Sequence, residues 1–419
     1  MRETRYLFTF RDFRLLLAGR FFVTVAVQIQ TVVVAWQIYD LTGDEFALGL
    51  IGLTEAIPSI GIALYAGHIA DRLPRRSIVL TCIALLFICS LGFVTLSLDA
   101  PVRSDTLRVY LLYAVIFITG IGRGFYVPAV FSLMAQVVPE SLYPVSTSWR
   151  SASWQLAAMG GPALGGMLYG YTGITNAFIA STGMLAISIG LFYLTDRHPM
   201  PEPDHTESLY ESIRSGIAFV FQKRAMLGTI TLDLFAVLFG GAVALLPVYA
   251  RDILFVGPEG LGILRAAPAV GAFAMAIVLS IFPPVKKTGP LFLFSVAAFG
   301  VCMLVFAVST SFYLSLVLLA LSGAFDNISV VVRSLTIQAL TPDHMRGKVS
   351  SVNSIFVGSS NEIGAFESGL AADLMGTVPS VVFGAIMTQV SVVATLILFP
   401  SLRHLSFENL KNSEDNRNE

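Results

Sequence analysis

The chain has 419 residues, 55% of them apolar and 13% charged, with 26 Lys and Arg against 27 Asp and Glu for a net charge of −1. Soluble domains carry about twice that charged fraction, and a mean hydropathy of +0.77 leaves too little polar side chain to face water. Composition therefore excludes a soluble enzyme, a disordered chain and a disulfide scaffold, and the balanced charge leaves no basic face for nucleic acid; what remains is an integral membrane protein.

Arg2, Arg5, Arg11 and Arg14 precede a first apolar run that is too long for a signal-peptide core and lacks a clear cleavage site, so it reads as an uncleaved first span. Twelve runs have the length needed to cross hydrocarbon: 15–38, 48–70, 78–98, 108–131, 145–169, 174–195, 225–248, 259–282, 289–309, 312–333, 349–373 and 379–399. Short connections make successive spans antiparallel neighbours, and the missing strand-like alternation excludes an outer-membrane barrel. The expected fold is all-α and integral to the membrane: twelve helices in two six-helix bundles, 1–195 and 225–399. The connection 196–224 begins polar and Pro-rich and ends with Leu209, Ile213, Ile217 and Phe221 at four-residue spacing. That spacing suggests an amphipathic helix on the inner membrane face, with a plain tether as the alternative. The polar tail 400–419 is expected to be disordered.

With the N-terminus inside, cytoplasmic segments hold 18 Lys and Arg against 3 on the other side, and 5 lie within spans. This positive-inside bias places both termini in the cytoplasm, in a cell inner membrane. Cys82, Cys89 and Cys302 all lie in apolar runs, and the first two, seven residues apart, are separated by about 10 Å of helix, too far for a disulfide. The five histidines are scattered singly, so no metal site is legible. No cofactor motif is present, and the absence of a G-x-x-x-x-G-K-[ST] loop argues against direct ATP drive. A monomer is expected, with a small molecule, protons and the bilayer as its partners.

The two halves repeat. A shift of 210 lays Gly52, Ala56, Pro58 and Gly61 on Gly262, Ala266, Pro268 and Gly271; a shift of 203 lays Gly120, Pro139, Gly161, Gly166 and Gly173 on Gly323, Pro342, Gly364, Gly369 and Gly376. Such matches point to parallel repeats about an axis along the membrane normal. Two positions invert in charge: Glu55 falls on Arg265, and Arg123 on Asp326. Mid-bilayer charges cost about 2.5–3.5 kcal/mol on insertion scales, so Glu55, Arg123, Asp326 and Glu362 are expected to face a central aqueous cavity between the halves, or else to lock helices as ion pairs. Arg20 and Arg150 are close enough to span ends to snorkel toward the surface, and Arg333 and Asp373 read similarly. Asp233 stands between a structural and a functional reading, and Arg265 and Glu367 suggest contacts near the outer mouth.

Gly67-His68-Ile69-Ala70-Asp71-Arg72-Leu73-Pro74-Arg75-Arg76 closes the second span. It resembles the G-x-L-A-D-R-x-G-R-K signature of the major facilitator superfamily, departing at Ile69 and Pro74. Gly67 suits close helix packing, Asp71 a helix N-terminus, and Arg72, Arg75 and Arg76 an inside loop. The copy expected after the eighth span has decayed to Pro283-Pro284-Val285-Lys286-Lys287. In the fifth span, Gly160-Gly161-Pro162-Ala163-Leu164-Gly165-Gly166 resembles that superfamily's antiporter motif, with Ala157 at its first glycine position. Proline and small residues there would let the span bend against the eighth. Arg123 matches the superfamily's third motif by a single residue. Phe13-Arg14-Leu15-Leu16…Arg20 and Thr341-Pro342-Asp343…Arg346-Gly347-Lys348 are most similar to the enterobactin-exporter and macrolide-efflux branch.

The resemblance implies a proton-coupled exporter of medium-sized amphipathic molecules. Glu55, Asp326 and Glu362 lead as proton carriers, working with Arg123 or Arg265 as the cavity rearranges. Gln28, Gln30, Trp36, Phe125 and Tyr126 are candidate cavity contacts, although packing is the commoner fate of such aromatics. An uptake symporter or facilitator of the same fold is the alternative. A membrane-embedded enzyme would need a nucleophile with its base or a metal-ligand cluster at membrane depth, and a receptor a larger soluble segment; none is visible.

Overall fold

Hydrocarbon offers the backbone no water to bond, so a chain this apolar must close its N–H and C=O groups within helices. The computed structural model describes residues 2–98, 104–196, 209–282, 288–342 and 345–406; the side chains of residues 63–72 and of a few isolated positions fall outside it. The linker segment 197–208, the decayed motif copy 283–287 and the tail from 407 onward lie outside the described residues.

Among the described residues the secondary structure is helical throughout. The helices are α1 (Arg2–Leu7), α2 (Arg11–Thr42), α3 (Glu45–Arg72), α4 (Arg75–Leu96), α5 (Asp105–Val137), α6 (Tyr143–Thr172), α7 (Ile174–Tyr193), α8 (Leu209–Gln222), α9 (Arg224–Phe239), α10 (Leu246–Val248), α11 (Gly257–Ile281), α12 (Thr288–Ala307), α13 (Phe312–Leu340), α14 (Arg346–Met375) and α15 (Thr377–Leu398). The twelve apolar runs fall in order on α2 to α7, α9 with α10, and α11 to α15. Ten of these helical stretches are long and apolar enough to cross a membrane. The other two, α6 and α14, have 30 residues each but are richer in Ser and Gly.

The chain divides into two compact units, residues 1–205 with 250–266, and residues 206–249 with 267–419, the boundary passing through α11. One packing scheme serves both. In the first unit α2 packs on α6 and α7, α4 on α5 and α7, and α3 on α5. In the second, α9 packs on α14 and α15, α12 on α13 and α15, and α11 on α13. The glycine register repeats as well. A Cβ on Gly120 would lie 2.7 Å from Pro58 Cγ, and one on Gly323 2.0 Å from the Pro268 carbonyl. Gly173 and Gly376 both stand at φ 89 between consecutive helices, a conformation that favours glycine, and each returns its N–H to the carbonyl four residues back, Tyr169 and Ala372. The repeat found in the sequence is thus a repeat of helix contacts.

One element differs from the sequence expectation. The seventh span is not one helix: α9 stops at Phe239, and Ala242–Leu245, α10 and a π turn at Tyr249–Ile253 complete the crossing. The break falls at Gly240-Gly241, where the Gly364 carbonyl and Ser368 Oγ of α14 would each lie 2.6 Å from a Cβ on Gly241. A Gly-Gly step followed by Pro247 is a recognised cause of such interruptions. The linker helix α8 packs its other side on α14, where Gly216 abuts the Lys348 carbonyl and Val220 is buried with Val349 and Val352. Ile217 and Phe221 remain exposed.

The glycine contacts can be tested directly. An alanine Cβ at Gly271 would sit 1.7 Å from the Ala320 carbonyl, whereas Gly160 has no neighbour within 4 Å. Gly271→Ala is expected to cost about 1–3 kcal/mol by forcing α11 from α13. Gly160→Ala should be neutral or stabilising by up to about 1 kcal/mol. Thermal melts of the detergent-solubilised variants decide, and equal midpoints would refute the packing scheme.

Candidate functional site

In the first unit the close approach at Gly120 brings α5 against the backbone of α3 at Glu55. One turn further along α5, Arg123 forms an ion pair with Glu55. Both line a cavity of about 40 Å³ with Gln30, Thr31, Thr119 and several apolar side chains, room for about one water. Gln30 donates to Ser90 Oγ at 2.8 Å and Ser181 Oγ at 3.2 Å, and Ser90 bonds Thr182 at 2.6 Å. This buried network ties α2, α4 and α7 together behind the pair.

In the second unit, Asp326, Ser329 and Arg333 lie at i, i+3 and i+7 on α13, one helical face. That face meets Asp233 of α9. Asp233 and Arg333 form an ion pair and are 3% and 5% exposed, and Ser329 Oγ donates to Asp233 Oδ1 at 2.6 Å. The expectation that Arg333 reaches toward a membrane surface does not match this placement, since a buried carboxylate holds its guanidinium inside. Asp326 lines the same small cavity, about 10 Å³, as Asp233 and Ser329. Among the described residues, Asp326 has neither a hydrogen-bond nor an ion-pair partner. Asp233 is therefore neutralised where it stands, and Asp326 is not.

The remaining candidates are dispersed. Arg265 and Glu362 are half-buried, and Glu367 accepts a hydrogen bond from Ser368 Oγ at 3.5 Å. Trp36 packs edge-on to Tyr169, and Tyr126 belongs to a core cluster against which Phe125 packs. Gln28 meets the fifth span, since a Cβ on Gly161 would lie 2.5 Å from Gln28 Cβ. Gly165 abuts Ile29 of α2, and Gly166 approaches Gly262 with 2.7 Å between its Cβ position and the Gly262 Cα. Pro162 lies inside an unbroken α6, and its carbonyl faces Gly262. The small residues of the fifth span thus serve two neighbours at once.

Of the motif closing the second span, Gly67, Asp71 and Arg72 lie where side chains are outside the described residues. Asp71 falls in the last turn of α3 rather than at a helix N-terminus, because α4 begins at Arg75 behind Pro74. Arg75 donates to the Ser132 carbonyl at 3.3 Å. Arg76 bonds the Phe192 and Tyr193 carbonyls at the end of α7 and stands 5.5 Å from the Tyr193 ring. Arg76 is thus a cation placed at a helix C-terminus, where the orphan carbonyls favour it.

One cluster escaped the sequence reading. Tyr39 donates to Asp252, and Arg251 pairs with Asp40 at 3.2 Å, bonds the Tyr39 carbonyl and stacks on its ring. These side chains belong to span ends more than 200 residues apart. No spacing joins them.

Two units with one packing scheme, and with charged side chains matched inside apolar helices, define a multi-pass membrane carrier. The family model described as Major Facilitator Superfamily matches residues 16–365, and the chain belongs to that superfamily: it is a transporter, not an enzyme. It is 24% identical over 398 residues to the enterobactin exporter EntS of Shigella dysenteriae serotype 1 (strain Sd197), covering 94% of this chain and 92% of the relative. Against EntS of Escherichia coli (strain K12) the identity and both coverages are the same. Among solved structures, a bacterial homologue of the iron transporter ferroportin in an inward-facing state superposes with TM-score 0.71 at 16% identity, over 94% of this chain and 99% of that one. A D-xylose–proton symporter superposes with TM-score 0.72 at 14% identity, over 96% and 100%.

Removing one partner of a buried ion pair typically costs about 3–5 kcal/mol, whereas replacing both with apolar residues is often neutral. Asp233→Leu and Arg333→Leu are each expected to depress yield and melting temperature severely. The double variant should recover most of both. Additive losses would show that the two side chains do not depend on each other.

Proposed function

We propose that the chain exports a medium-sized amphipathic molecule, of drug or siderophore type, across a cell inner membrane in exchange for protons. Export is supported by the exporters to which it is similar along nearly its full length, and the inward orientation of both termini by the 18-to-3 distribution of basic residues. The observation that carries proton coupling is Asp326: an acid inside a membrane helix, beside an already neutralised Asp233–Arg333 pair, and without a partner of its own among the described residues. Such an acid has two ways to lose its charge in hydrocarbon, a proton or a bound cation, and a proton needs no space beyond the small cavity present. Glu55 is the second carrier, with Arg123 displacing its proton when the pair closes; Glu362 is the third candidate. Gly161, Pro162, Gly165 and Gly166 would supply the flexure of alternating access.

In everted vesicles energised by a pH gradient, Asp326→Asn is expected to abolish uphill transport while leaving downhill exchange measurable. Glu55→Gln should weaken coupling. Full gradient-driven transport by both variants would refute the assignment. Direction is tested separately: a strain lacking the gene should accumulate the cargo, screened among antibiotics, dyes and siderophores, and diminished accumulation would instead indicate uptake.

A further inference from the structure

The first unit carries a second polar cluster that the Glu55–Arg123 pair does not use. By the helical rise, Arg20 lies about 14 Å from the start of α2, Arg150 about 10 Å from the start of α6, and Tyr126 about 16 Å before the end of α5. The helix α2 packs on both α6 and α5, and all three residues belong to the first unit. Arg20 is within electrostatic reach of both the Tyr126 hydroxyl and the Arg150 guanidinium. Arg150, half-buried, stands over the exposed ring of Phe131 of α5 at 4.4 Å. Tyr126 is only 7% exposed, and its hydroxyl is buried without a hydrogen-bond partner, as is Arg150 Nε.

Among the described residues neither Arg20 nor Arg150 meets a carboxylate, whereas Arg123 and Arg333 each have one. Two guanidiniums held close repel each other, and each is half-buried. A buried phenol left without a partner adds a desolvation penalty that nothing offsets. Every donor in the cluster calls for the same missing component, an acceptor with negative charge. Guanidinium forks suit planar oxyanions in particular.

We propose that Arg20, Arg150 and Tyr126 form a subsite for the anionic group, a carboxylate or catecholate, of an amphipathic small molecule. The inference deepens the export reading and rests on it for the identity of the occupant as cargo. An anionic lipid headgroup shares the chemistry, but the Tyr126 hydroxyl lies within the core cluster that includes Leu16, Val23 and Leu133. A headgroup would have to leave the interface to reach it.

The test uses the full chain in phosphatidylcholine nanodiscs with two fluorescent probes, pyrenebutyrate and its uncharged amide. The wild type should bind the carboxylate at least about tenfold more tightly than the amide. Arg20→Gln and Arg150→Gln should each collapse that ratio while leaving amide affinity intact, which also verifies folding. Lysine at either position should restore part of it, and Tyr126→Phe should narrow it about threefold. Equal affinity for the two probes in the wild type, or an undiminished ratio in the Arg20→Gln/Arg150→Gln double variant, would overturn the proposal. Loss of the ratio on adding phosphatidylglycerol to the discs would overturn the cargo assignment in favour of a lipid headgroup. Intact charge discrimination in a protein whose deletion causes no accumulation of any cargo would instead sink export and leave the anion subsite standing.

Discussion

Inside a bilayer an ionised side chain is tolerated only where something nearby cancels its charge, and the polar architecture of this transporter follows from how each such group is met. Arg123 is met by Glu55, and Arg333 by Asp233 with a hydroxyl from Ser329. Both arrangements depend on backbone proximity that only small residues allow. Gly120 admits α3 close enough for the first pair to form one turn away, and Gly323 makes the equivalent approach to Pro268 in the second unit. Helix packing and electrostatics are therefore one problem here. A side chain at either glycine would separate the helices and, in the first unit, leave two charges in hydrocarbon without each other.

The two units share this frame yet use it differently. Their helix pairings agree, and so do their left-handed glycine junctions at Gly173 and Gly376. The charges do not agree: the first unit places its acid on α3 and its base on α5, while the second builds its pair between α9 and α13. The second unit also interrupts its first span at Gly240-Gly241, where the first unit keeps α2 continuous over 32 residues. Unwound backbone inside a membrane is tolerated where protein surrounds it, and the approach of Gly364 and Ser368 of α14 provides that cover.

Much of this was legible in the chain itself. The apolar run lengths gave the helices, because the hydrocarbon thickness dictates them; glycine and proline spacing gave the repeat, because close contacts recur with the packing that needs them. Arg123 and Asp326 were legible as charges too deep for their surroundings. Their partners were not, since Arg123 shares its pair with a residue of another helix 68 positions away, and periodicity along one helix says nothing of which neighbour it faces. Arg333 shows the limit most clearly. Nearness to a span end suggested snorkelling, yet Asp233 holds it inside. The Tyr39–Asp40–Arg251–Asp252 cluster was invisible for the same reason, joining two span ends that only the fold brings together.

What the pairing leaves over is the most instructive part. In the second unit one acid, Asp326, has no cation among the described residues; in the first, two cations, Arg20 and Arg150, have no acid. These are opposite deficits within a single chain whose net charge is −1. A static membrane scaffold gains nothing by keeping either, since each forfeits hydration without compensation. A carrier gains from both. On the readings proposed above, the uncompensated acid would take a proton and the uncompensated cations an anion, and each occupant could leave again because no resident partner has replaced it. Paired charges hold the helices in place, and on these proposals the unpaired ones are left to bind what moves.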